Sequence, residues 1–198
     1  MRAVITREYS APPINRREIL RYMGCMDSSD ELEALIDRAI SLCEGKLTYK
    51  VCYSEFPLEI EENVCHLGFA VPESRDLAKC LNGCENALVF AATVGLELDR
   101  LILRYGRLEP SLALCLQALG AERIEALCDA FCGEMKARFA TEGKNMRPRF
   151  SAGYGDLPLS LQKDIFASLE CEKRIGLTLN DSLLMSPTKS VTALIGIY

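Results

Sequence analysis

Hydrophobic spacing changes several times along this chain, and each change predicts an element. Asn15 is placed to cap a short helix over Arg16–Tyr22, which Gly24 closes. Ser28 with Glu31 three residues on has the form of a capping box. Behind it Leu32, Leu35, Ile36, Ala39, Ile40 and Cys43 recur at helical spacing up to Gly45, which predicts an amphipathic helix. From Leu47 the period drops to two. Leu47, Tyr49, Val51 and Tyr53 alternate with Thr48, Lys50, Cys52 and Ser54, the mark of a half-buried strand. Leu58–Ile60 and Val64–Phe69 read as further short strands around an acidic turn at Glu59–Glu62.

Arg75–Leu81 reads as a short helix, and the apolar run Ala87–Thr93 suits a central strand. Glu97–Tyr105 is expected to be a helix closed by Gly106. Pro110 then opens a long one, in which Leu112, Leu116, Leu119, Arg123, Leu127, Phe131 and Met135 mark one stripe to about Phe139. A helix over Leu159–Leu169 and two β-like runs, Ile175–Leu179 and Val191–Ile197, complete the pattern. Residues 1–13 read as an arm. Helices and short strands mingle without βαβ spacing or a Rossmann glycine fingerprint. The expected fold is therefore α+β, one domain over residues 1–198, with a mixed or largely antiparallel sheet and long helices.

Composition narrows the function classes. The formal charge of -5 on 198 residues argues against nucleic acid as a partner, because phosphate neutralisation needs clustered Lys and Arg. No apolar run approaches the roughly 20 residues that cross a bilayer, and no secretory leader is evident, so neither membrane nor export is expected and the cytoplasm is the expected compartment. Ten cysteines in that setting read as reduced thiols that fill a core. The pairs Cys80/Cys84 and Cys128/Cys132, each four apart, leave a thiolate metal module as a lesser alternative. His66, the sole histidine, lies in the apolar run Val64–Gly68 and reads as structural.

Candidate chemistry gathers in one segment, Arg147–Pro158. Arg149 offers a planar fork for a carboxylate or phosphate, glycines allow close backbone approach, and Tyr154 presents an aromatic face. From the residues alone the segment is either a site for a small zwitterionic or anionic ligand or a tight connection bearing a surface arginine.

Two motifs in order, Arg149-Phe-Ser-Ala-Gly153-Tyr154 with Pro158, and Ile175-Gly176-Leu-Thr-Leu-Asn-Asp-Ser182-Leu-Leu-Met185-Ser-Pro187-Thr-Lys-Ser190-Val191, resemble the activation domain of cobalamin-dependent methionine synthase. The likeness reaches more loosely back through Phe90–Asp99 and the Ala118–Asp129 stretch, and its form is similar to separately encoded, single-domain relatives. The resemblance implies binding of S-adenosylmethionine (AdoMet) and capping of a cobalamin carried by a corrinoid-binding module or a truncated methionine synthase. There an electron from a flavodoxin-like donor and a methyl group from AdoMet restore methylcobalamin. It implies a component of a methyltransferase system rather than a stand-alone enzyme. By the same resemblance Arg149 would hold the AdoMet carboxylate, Ser151 and Gly153 would offer backbone groups, Tyr154 would lie against the ligand, and Glu125 would face the sulfonium. Leu159 and Ser160 stand where the family has an acidic residue and a histidine, and the family's later tyrosine is matched only by Tyr198. The alternative expectation is a non-catalytic partner of a corrinoid protein or methyltransferase that keeps the fold without AdoMet.

Overall fold

The computed structural model describes residues 3–198; Met1 and Arg2, the start of the expected arm, lie outside the described residues. In chain order the elements are β1 (Ile5–Tyr9), α1 (Arg16–Met23), α2 (Asp30–Cys43), β2 (Tyr49–Pro57), β3 (Glu59–Glu61), β4 (Val64–His66) and α3 (Arg75–Cys80). There follow β5 (Asn86–Thr93), α4 (Glu97–Leu108), α5 (Pro110–Thr141), α6 (Leu161–Leu169), α7 (Cys171–Ile175), β6 (Thr178–Leu179), β7 (Met185–Ser186) and β8 (Ser190–Ile197). Four strands form the main sheet in the order β1-β2-β5-β8, every neighbouring pair antiparallel. The fold is α+β, as the mingled periodicities predict.

Both faces of that sheet are covered. Val51, Tyr53, Phe90 and Ile195 face a core shared with α1, α2, α4 and α5. Cys52, Val89, Ala91 and Leu194 face a second core closed by α3, α6 and α7. β2 is therefore buried on both sides, where its alternation predicted one. Cys52 is small enough to serve as an apolar residue on the face expected to be wet. In the first core Phe131 of α5 stands 5.2 Å from the Tyr53 ring and 4.8 Å from the Phe90 ring, tilted against each, so that the long helix is keyed to two strands at once.

Several boundaries move. Ile5–Tyr9, inside the expected arm, is instead the edge strand paired with β2. α2 is capped by Ser29, whose hydroxyl accepts from the Leu32 N–H, one residue later than the capping-box pattern suggested. Gly106 lies inside α4 and does not end it. The stop is Pro110, which forces the preceding Glu109 into an extended backbone (φ -155°, ψ 86°). Glu59–Glu61 of the expected acidic turn is strand β3, and only Glu62 turns, at φ 55°. Among the described residues no helix is long and apolar enough to cross a membrane.

Candidate functional site

The segment after α5 builds the site. It runs along the outer edge of β8: Arg147 N–H donates to the Gly196 carbonyl (2.8 Å), and Phe150 and Leu194 exchange both backbone bonds (2.9 and 2.8 Å). At Ser151 the chain turns away. An antiparallel ladder alternates its bonding direction, so the N–H and C=O of Thr192 point the same way as those of Leu194, away from β5. They face a cleft of about 460 Å³ lined by Glu125, Arg149, Ser151, Tyr154, Gln162 and Thr192, with Phe150, Met185 and Val191 as apolar wall.

The turn that follows is held from below. Asp156 accepts hydrogen bonds from the Ser74 hydroxyl (2.5 Å) and from the N–H groups of Arg75 (2.9 Å) and Asp76 (3.2 Å) at the start of α3. Gly155 lies at φ 55° so close to Asp76 that a side chain there would strike its carboxylate. These contacts, the Ser74 bond foremost, hold the Asp156 carboxyl below its usual value of 3.8. A depressed pKa stabilises the fold above the unfolded value, and that stability is lost as pH falls through the folded one. Acidification below about pH 4 should therefore release the 151–158 turn before the cores open, and Asp156→Asn should release it at neutral pH. Amide exchange at Arg75 and Asp76 reads both; unchanged protection in the variant would refute the anchoring.

Arg149 is largely withdrawn from solvent, with 27% of its side chain exposed, and its Nη2 donates to Glu125 (3.0 Å) and Asp129 (3.1 Å) on α5. Burial alone would lower its pKa, but the Glu125 carboxylate bonded to it raises it, so the guanidinium stays charged. Both bonds run from Nη2; among the described residues Nε and Nη1 keep their donors for another acceptor. At the other end of the open strand Asp99 accepts from the Thr188 N–H (2.8 Å) and hydroxyl, which fixes the start of β8 against α4.

Glu125, Arg149, Ser151 and Tyr154 thus meet in one cleft. Gly153 does not line it: at φ 89° it shapes the turn, and its N–H is bonded to the Leu157 carbonyl (2.9 Å). Tyr198 is also elsewhere, its ring under the Arg147 guanidinium at 4.3 Å. Asp129, Gln162 and Thr192 join the site without any sequence signal, because a helix face and a strand edge meet only in three dimensions. The four cysteines of the metal alternative are not brought together: Cys84 belongs to one core and Cys128 to the other. Burial pushes Cys132 up to about 11 and Cys128 higher still, which disfavours the thiolates a metal needs. Among the described residues no group of three or more His, Cys, Asp and Glu is placed to hold a metal ion.

No protein-family model matches the sequence, and no curated protein matches it significantly. Among solved structures, the MetH reactivation domain bound to AdoHcy superposes with a TM-score of 0.74 at 17% identity, over 98% of this chain and 78% of that one. The chain has the MetH reactivation domain fold. That fold is an antiparallel sheet with long helices, and here the two quoted motifs supply the walls of a cleft at its edge.

Proposed function

We propose that this chain binds AdoMet, or its product AdoHcy, in the cleft beside β8. It would act as a reactivation subunit for a cobalamin-dependent methionine synthase. The observation that carries the reading is the charge arrangement of the cleft on this fold: a guanidinium with free donors, two carboxylates beside it and an open strand edge. The groups fit an amino-acid nucleoside. Arg149 would take the ligand carboxylate, Glu125 and Asp129 the positive ammonium and sulfonium, and Phe150, Met185, Val191 and Tyr154 the flat base. About 460 Å³ lies within the range of small-molecule sites. AdoMet would supply an electrophilic methyl group; the cobalamin that accepts it, and the electron donor, belong to other proteins. What this chain would contribute is orientation of the methyl donor and exclusion of water.

Arg149 already has two carboxylate partners, and this favours one second reading: a partner of a corrinoid protein that keeps the fold and binds no nucleoside. A melting experiment separates the two. A ligand at one hundred times its Kd adds about 2.7 kcal/mol. For a chain of this length that is a rise of roughly 5–11 °C with AdoHcy. No rise at millimolar AdoMet or AdoHcy would leave the second reading. Recovery of an inactivated methionine synthase on addition of this chain, AdoMet and a reductant tests the reactivation step itself.

A further inference from the structure

Gln162 is out of place by the usual rules of packing. It follows Leu161 on α6, whose other inward residues are Ile165 and Leu169, all three in the second core. Gln162 is itself only 6% exposed, and its Oε1 is buried without a hydrogen-bond partner among the described residues. A dry, unpaired carboxamide oxygen destabilises a fold, and an apolar side chain of the same length would pack there at no such cost. Among the described residues the one other buried side-chain N or O atom left in this state, Arg147 Nε, is not in the cleft wall. Gln162 is in that wall.

Position within the cleft selects what it would meet. The charged groups Glu125, Asp129 and Arg149 cluster at the α5 end, on one side of the sheet. Gln162 comes from α6, which covers the opposite face. A ligand with a zwitterionic end and a neutral end is thereby oriented, its charges toward α5 and its base toward the amide. We propose that Gln162 is a base-reading residue whose Oε1 accepts a hydrogen bond from the 6-amino group of adenine. This rests on the nucleoside reading of the cleft and adds to it the group that distinguishes the base.

The test compares AdoHcy with its analogue bearing hydrogen in place of the 6-amino group, by calorimetry, on the wild-type chain, Gln162→Met and Gln162→Glu. The wild type should bind AdoHcy roughly 10-fold or more tighter than the analogue. Gln162→Met should bind both alike, with AdoHcy weakened by that factor, whereas Gln162→Glu keeps an acceptor and should retain the preference. Melting of the ligand-free proteins supplies a readout that a packing role would not produce: Gln162→Met should melt at or above the wild-type temperature. A lower melting point, or equal loss of both ligands, overturns the proposal. AdoHcy binding that is indifferent to Gln162→Met sinks this assignment alone, while a wild type that binds no AdoHcy sinks the nucleoside reading and this one with it.

Discussion

Arg149→Ala is expected to abolish most of the melting rise given by AdoHcy and to weaken its binding roughly 10- to 150-fold. A hydrogen bond to a charged group is worth about 1.5–3 kcal/mol, and each 1.4 kcal/mol is a factor of ten. The change also leaves Glu125 in the cleft wall, and Asp129 beside it, without their shared cation, and these would repel an incoming carboxylate. Arg149→Lys keeps the charge but loses the fork that reaches two carboxylates and a ligand together, so it should recover only part of the affinity. The ligand-free protein should melt within a few degrees of the wild type, because partly exposed ion pairs contribute little. Calorimetry with AdoHcy decides it: unchanged affinity in Arg149→Ala would remove the central cation from the site.

The largest effect on stability is expected at Arg123. Its side chain and that of its neighbour Glu122 are 2% and 3% exposed, and they are paired inside the first core. Arg123 also donates to the carbonyls of Pro12 (2.5 Å) and Pro13 (2.7 Å), and Glu122 accepts from the Asn15 N–H (3.0 Å). The pair thus fastens the segment between β1 and α1 to the middle of α5. Arg123→Leu strands a carboxylate in the core, a loss of about 3–5 kcal/mol. That corresponds to a fall of roughly 6–20 °C in melting temperature. Replacing both residues by leucine removes the stranded charge and should recover much of the loss, although the proline carbonyls lose their donor. A single variant that melts with the wild type would show that the buried pair contributes little.

Arg123 also shows what a sequence conveys. It falls on the apolar stripe of α5 by spacing alone, and the structure buries it there. Spacing reports position in a helix whatever the residue type, so the stripe, the Asn15 cap and the αL Gly24 were legible. The β1 strand was not: its pattern is exposed at four of five residues, and a charged edge strand has the composition of an arm. Gly106 misled because a glycine costs an exposed helix only about 1 kcal/mol, whereas Pro110 dictates the backbone before it. At the cleft, Arg149, Ser151 and Tyr154 were legible since they share one loop. Glu125 came from the family resemblance, and the structure puts it against Arg149 at 3.0 Å. Gln162 gave no signal, because one amide beside a run of leucines looks like a helix surface until the second core closes over it.

The thiols distributed through both cores have a consequence for how this molecule ages. Seven of the ten are buried, and burial lifts Cys43, Cys65 and Cys115 alike to about 11. Since only the anionic sulfur attacks an alkylating agent, these buried thiols are nearly inert at neutral pH while the molecule is closed, and become nucleophilic only while a wall is parted. Cys25, Cys80 and Cys132, which are partly exposed, are outside that protection. With such an agent present, an opening that outlasts the reaction leaves a permanent adduct at the sulfur it uncovered, so the alkylated positions would record where the chain breathes.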